Sequence, residues 1–155
     1  MLCFRETAFG RVGIEDKEGF ITRLYLPGRS DAVSEGPETP LLGEAFAQLE
    51  AYFSGRRKAF DLPLRFEGTP FMKRVWQALC TVPYAHTASY KDIAEAIGNP
   101  KACRAVGMAN NRNPIAIIVP CHRIIGSTGA LVGYGGGLGM KERLLELERR
   151  YGPAD

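Results

Sequence analysis

Histidine and tryptophan are the scarce residues of this 155-residue chain, two and one respectively, so any chemistry that needs an imidazole rests on His86 or His122. Cysteine is sparse as well. Cys3, Cys80, Cys103 and Cys121 form no Cys-x-x-Cys pair, which argues against a disulfide framework or a zinc ribbon and for reduced thiols. The first three read as small buried hydrophobes. No run approaches the roughly 18 to 20 apolar residues that span a bilayer. The segment Met1-Leu2-Cys3-Phe4-Arg5-Glu6 lacks the basic stretch and apolar core of a secretory signal. The expectation is a protein without a membrane partner that works in the cytoplasm, or in the nucleus if its source is eukaryotic.

A large charge of either sign is also missing. The formal net charge is +3, with 45% hydrophobic and 24% charged residues, the balance of a soluble globular chain. That small total hides an asymmetry. Residues 1–68 hold 9 Lys/Arg against 11 Asp/Glu, and residues 69–155 hold 11 against 6, or −2 and +5. A basic second half is compatible with a phosphate-backbone partner, although many solvated surfaces carry as much.

What is present divides into two parts, 1–66 and 67–155. Short strand-like runs at Leu2 to Ala8, Gly10 to Ile14 and Phe20 to Leu26, broken by Phe9-Gly10 and Asp16-Lys17-Glu18-Gly19, predict a small antiparallel meander. Thr39-Pro40 starts an amphipathic helix with Leu41, Leu42, Ala45, Phe46, Leu49, Tyr52 and Phe53 inward and Gly55 as its stop. Thr69-Pro70 starts another, with Phe71, Val75, Trp76 and Leu79 on one face. Ser89-Tyr90-Lys91-Asp92 is a capping-box variant heading a short helix with Ile93, Ala94 and Ile97 inward, stopped at Gly98. After the Asn99-Pro100 turn comes a helix of small side chains, Lys101 to Ala109. Two short helices across such a turn fit an ordinary helical hairpin or a helix-turn-helix. The composition of the second favours the latter: Ala102, Ala105 and Gly107 add little core but permit close approach to another surface, and Arg104 rises among them.

The chemistry gathers at Pro120-Cys121-His122-Arg123. The run Ile115 to Val119 reads as a short buried strand, and Pro120 ends its pairing, so a thiol and an imidazole stand where the strand stops. A thiol near pKa 8.5 is mostly protonated at neutral pH, and a neighbouring imidazole can take its proton, directly or through a water. Such an imidazole needs a partner to fix its tautomer. In the last helix Leu144, Leu147 and Tyr151 mark the inner stripe, and Glu148 lies at its edge, where it can orient His122 or form a surface ion pair. The glycine-dense Gly133 to Gly139 lacks the Gly-Lys-Ser/Thr ending and the Gly-x-Gly-x-x-Gly register of nucleotide sites, and reads as a flexible pocket wall carrying Tyr134.

In order and spacing, these motifs resemble the O6-alkylguanine-DNA alkyltransferases. The matching pieces are Ser89-Tyr90, Gly98 through Gly107, Asn113-Pro114, Pro120 through Arg123, Gly129-Ala130 with Tyr134, and Lys141-x-x-Leu144-Leu145-x-x-Glu148. The resemblance implies an α/β N-terminal domain of sheet plus helix, then a mostly α, winged-helix-like DNA-binding domain with a helix-turn-helix. It also implies a monomer that binds double-stranded DNA containing alkylated guanine through the minor groove and flips the damaged base. The methyl group of O6-methylguanine, and of O4-methylthymine, would pass irreversibly to Cys121, once per molecule. His122 would act as base and Glu148 as its polariser, with Asn113 holding the turn and Tyr90 assisting flipping and proton donation. Arg104 would fill the gap in the stack, and Ala102, Cys103, Ala105, Gly107 and Ser89 would meet the groove. Val132, Tyr134, Gly135 and Ala116 would line the alkyl pocket. Ala116 and Gly135 stand where some members carry proline and serine, which leaves the accepted alkyl size open. No metal or organic cofactor is implied, and residues 1–68 offer a zinc ion only Cys3. Two rivals have different signatures: a thiol hydrolase turns over many times, and a pure DNA-binding regulator leaves the Cys-His turn idle.

Overall fold

The computed structural model describes residues 1–28, 36–127, 129, 134 and 137–152. The chain forms two compact units, one of Met1–Phe66 with Pro114–Ile118 and one of Glu67–Asn113 with Val119–Asp155.

In the first unit, β1 (Leu2–Thr7), β2 (Gly10–Lys17) and β3 (Phe20–Tyr25) make an antiparallel sheet in the order β1-β2-β3. The middle strand runs three residues beyond the expected Ile14, because Lys17 pairs with Phe20 and only Glu18-Gly19 turn the chain. Both turn residues have positive φ, 52° and 83°, the twist that matches a two-residue hairpin. Helix α1 (Pro40–Phe53) starts as expected: Thr39 accepts the Leu42 amide at 3.1 Å, and proline occupies the first turn. Its inner face, Leu42, Phe46, Leu49 and Tyr52, is fully buried, as are Val12, Ile14 and Ile21 of the sheet. Thr39 also donates to the buried Asp16 carboxylate at 2.6 Å, tying the start of α1 to β2.

The second unit is helical. It contains α2 (Pro70–Leu79), β4 (Ala88–Ser89), α3 (Tyr90–Ala96), α4 (Cys103–Asn111), a 3-10 turn (Cys121–Arg123), β5 (Ile124–Ile125) and α5 (Leu138–Tyr151). The Ser89–Asp92 capping box is complete in both directions, and Gly98 ends the α3 region at φ 78°. Helices α2, α3 and α4 pack on one another, with α3 and α4 joined by the Gly98–Ala102 turn as a helix-turn-helix. Trp76 seals this bundle: its ring is buried and its Nε1–H donates 2.9 Å to the Ala109 carbonyl. β4 and β5 pair in parallel as a two-residue ribbon that completes the winged-helix-like arrangement.

Several local expectations are corrected. Helix α4 begins at Cys103, two residues late, because Ala102 offers no side-chain cap. Tyr151 is exposed rather than on the inner stripe of α5, Leu41, Phe71 and Ile97 are only half-buried, and Cys80 is exposed and Cys103 half-buried, so neither is a core hydrophobe. The largest correction concerns Ile115–Val119, which is no strand. Ile115 makes a single bridge to Leu24; then the Ile118 amide bonds the Ala116 carbonyl at 2.8 Å around Ile117 at φ 71°. This is a γ-turn of the rare, strained hand on a β-branched residue. A second γ-turn of the ordinary hand follows at Pro120 (φ −81°, ψ 62°), with the Cys121 amide 2.8 Å from the Val119 carbonyl. All five side chains are buried whatever their phase, so an apolar run is equally well satisfied by a folded segment as by a strand.

The caps differ in consequence. Thr69→Ala removes one helix cap and is expected to lower stability by about 1 kcal/mol. Thr39→Ala also takes the hydroxyl donor from Asp16 Oδ2, leaving that carboxylate, among the described residues, only the N-terminal ammonium at 3.3 Å, and is expected to cost about 2 kcal/mol. Urea unfolding of the two variants side by side checks the order.

Candidate functional site

Cys121 opens the 3-10 turn, where the preceding γ-turn ends the Pro120 segment and the chain reverses into β5. Asparagines fasten this turn: Asn113 Nδ2 donates 2.8 Å to the Val119 carbonyl, and Asn110 Nδ2 of α4 lies 3.4 Å from the Cys121 carbonyl. The thiol is buried, and burial pushes its pKa up to about 11, against the Asn113 amide, the Lys141 charge and the Tyr134 hydroxyl, which favour the thiolate. At rest it is a protonated thiol surrounded by groups that reward its ionisation.

His122 and Glu148 meet. The buried imidazole Nε2 and carboxylate Oε2 are 2.6 Å apart, so Nε2 carries the proton that it donates to Glu148, and Nδ1 is the basic nitrogen. Burial lowers the His122 pKa despite the adjacent carboxylate, so the ring is neutral near pH 7. Burial alone would raise Glu148, but His122 and Arg123 together hold it down at about 2. Arg123 grips both carboxylate oxygens, Nε to Oε1 at 2.9 Å and Nη2 to Oε2 at 3.0 Å, while its Nη1 donates 2.8 Å to the Val82 carbonyl. The Ala85 amide supplies a further bond to Oε1 at 3.0 Å, from a residue at φ 63°.

The helical phase that left Glu148 between an orienting and a surface role is thus settled in position: it is buried at the inner edge of α5. Tyr90 begins α3, half-buried, with Gly107 of α4 against it; a Cβ there would stand 3.7 Å from the ring. Burial and the Cys121 charge raise the phenol pKa of Tyr90, and more so that of Tyr134. Arg104 and Ala105 are exposed on α4, and Ser89, Ala102, Cys103 and Gly107 are half-buried nearby in the helix-turn-helix. Ala116 is buried in the first unit. Val132 and Gly135 lie outside the described residues.

Two residues that received no individual role in the sequence reading stand out here, Arg123 and Lys141. Lys141 is completely buried, hydrogen-bonds the Ile124 carbonyl through Nζ and acts electrostatically on Cys121. Its signal was available: Lys141, Leu144 and Glu148 fall at i, i+3 and i+7, one stripe of α5. Among the described residues no cluster of His, Cys, Asp and Glu could hold a metal, and no helix is long and apolar enough to cross a membrane.

A buried cysteine followed directly by a buried His–Glu pair, in the same unit as a helix-turn-helix, defines a thiol-bearing domain of a recognisable kind. Residues 70–150 match the model of the 6-O-methylguanine DNA methyltransferase DNA-binding domain, and residues 6–66 match the ribonuclease-like domain of the same proteins. The constitutive methylated-DNA–protein-cysteine methyltransferase of Bacillus subtilis is 50% identical over 153 residues, covering 93% of this chain and 92% of its own. The methylated-DNA–protein-cysteine methyltransferase of Methanosarcina acetivorans is 64% identical over 138 residues, covering 86% and 87%. The crystal structure of Mycobacterium tuberculosis OGT in complex with DNA superposes with a TM-score of 0.90 at 44% identity, covering 99% of this chain and 95% of that one. The chain belongs to the 6-O-methylguanine DNA methyltransferase family.

The electrostatics give two expected outcomes. Both His122 and Glu148 have folded pKa values below their unfolded ones, so the stability they contribute is present above the unfolded values and lost on acidification, from about pH 6.5 for His122 and from about 4.5 downwards for Glu148. Urea midpoints should therefore fall steadily below pH 6.5, and Glu148→Gln should flatten the profile below pH 4.5 while lowering the neutral-pH midpoint. Lys141→Met should move the Cys121 titration further up, read as 240 nm thiolate absorbance after subtracting Cys121→Ser.

Proposed function

We propose that this chain repairs DNA by direct reversal, moving the methyl group of O6-methylguanine, and of O4-methylthymine, onto Cys121 in a single irreversible event. The observation that carries the reading is the 2.6 Å His122–Glu148 pair immediately after a buried cysteine, within the span matched by the family's DNA-binding domain. The names of its relatives and the DNA complex of the mycobacterial protein support it.

Cys121 loses its proton to His122 Nδ1, directly or through a water, because Nε2 is committed to Glu148. The imidazolium that forms is stabilised by that carboxylate, which Arg123 keeps ionised. The Cys121 sulfur forms a bond to the methyl carbon as the carbon–O6 bond breaks, and the electron pair leaves on O6 of guanine. Tyr90, whose phenol stays protonated, donates toward the departing base and offsets its negative charge. Asn113 holds the Val119 carbonyl, and with it the turn that aims the sulfur. The product is a thioether. Its carbon–sulfur bond resists hydrolysis, and among the described residues no group of the site is placed to cleave it, so the protein is consumed. The thiolate supplies the electron pair and the departing base carries it away, so the displacement calls for no metal or organic cofactor.

Reaching O6 in a duplex requires the nucleotide to leave the stack, at a cost of a few kcal/mol. The small, accessible surface of α4 around Ala105 and Gly107 suits close approach in the minor groove, with Arg104 entering the gap. A monomer suffices for this geometry.

Intact mass spectrometry after mixing with an O6-methylguanine duplex should show one added methylene unit on the Cys121 peptide and no reaction beyond one equivalent. Cys121→Ala should gain nothing while still binding the duplex, and His122→Ala should slow transfer by about a hundredfold or more. Multiple turnovers, or transfer by the Cys121 variant, would refute the mechanism.

A further inference from the structure

The stripe of α4 that carries Arg104 holds one residue at odds with its small and polar neighbours. Met108 is 51% exposed, an unbranched apolar side chain on a helix whose other accessible positions are Arg104, Ala105 and Asn111, followed by exposed Arg112. The opposite face, Val106, Ala109 and Asn110, is buried against the bundle. Met108 follows Arg104 by four residues, so both lie on one face about 6 Å apart along the axis. That separation is close to two base steps at 3.4 Å each.

A single exposed methionine is ordinary on a protein surface. Here its position is what matters. It shares a face with the arginine assigned to the stack, beside exposed Lys101 and Arg112, whose charges suit flanking phosphates. Proteins that open the minor groove do so with apolar wedges, methionine among them, that partly unstack a neighbouring step. The geometry points to Met108 as a second wedge, which enters the base step beside the gap held by Arg104 and keeps the strand open while the damaged nucleotide is outside the stack. This rests on the repair reading above and adds a residue to it. The thioether is thin and polarisable, fits a narrow groove without branching, and contributes contact rather than charge. It therefore acts only where there is a stack to hold open.

That restriction gives the test. Single-turnover methylation of Cys121 is measured for the whole protein and for Met108→Ala and Met108→Leu on three probes: a duplex containing O6-methylguanine, the same strand alone, and free O6-methylguanine. Met108→Ala should slow the duplex reaction about tenfold, its share of an unstacking cost of a few kcal/mol. It should leave the single strand and the free base within about twofold, since neither has a duplex stack to open. Met108→Leu should recover most of the duplex rate. The salt dependence of duplex binding should be unchanged in Met108→Ala, whereas loss of a phosphate contact reduces the slope. Equal slowing on all three probes, or an unchanged duplex rate, overturns the wedge while the unsubstituted protein still methylates Cys121. Failure of the unsubstituted protein on every probe overturns the repair reading and the wedge with it.

Discussion

One buried carboxylate organises the acceptor site. Glu148 receives two bonds from Arg123, one from the Ala85 amide and one from His122, and it lies almost wholly out of water. A charge so buried is tolerable only when its acceptor positions are filled, and removing one partner of such a pair costs about 3–5 kcal/mol. The four donors come from two segments packed against α5: Ala85 in the loop before β4, and His122 and Arg123 of the 3-10 turn. Satisfying the carboxylate therefore fixes these segments relative to one another. The arrangement around Cys121 and His122 thus follows from a requirement for stability.

The same requirement sets the proton positions. Because Nε2 of His122 faces Glu148, the basic nitrogen is Nδ1, and because burial keeps the ring neutral, it is available near pH 7. Cys121 is held as a thiol by its own burial, so an exposed thiolate is not left to react with passing electrophiles. Ionisation is deferred until something accepts the electron pair. For a protein consumed by its own reaction, as proposed above, such restraint has a physical reason: every adventitious reaction would remove a molecule from use.

The backbone before the cysteine carries strain that the site employs. Ile117 at φ 71° and Pro120 at ψ 62° fold the chain twice within a few residues, and Asn113 takes the Val119 carbonyl that the second turn leaves facing it. Ala85 at φ 63° does something similar on the other side, turning its amide toward Glu148. Unfavourable conformations of this kind persist where surrounding bonds over-determine them.

Much of this was legible in the residues. Thr39-Pro40, Thr69-Pro70 and Ser89 with Asp92 are local chemistry, each satisfying helix amides within three residues, so the helix starts needed no tertiary information. The motifs around Cys121, Arg104 and Tyr90 likewise pointed to one family through their order and spacing. Apolar periodicity failed at Ile115–Val119, because complete burial erases the alternation that distinguishes a strand from a turn. It also missed that Lys141 shares the stripe of Leu144 and Glu148, since a lysine on an inner face is read as solvent-facing until a carbonyl and a thiol are found beside it. The sequence by itself determined the capped starts of α1, α2 and α3, a small sheet ahead of the helices, and which thiol and imidazole are neighbours. Only the tertiary structure decided which nitrogen of His122 is basic, that Arg123 and Ala85 keep Glu148 charged, and that Cys121 waits as a thiol. Those depend on burial and on bonds between segments up to 63 residues apart, which no local pattern encodes.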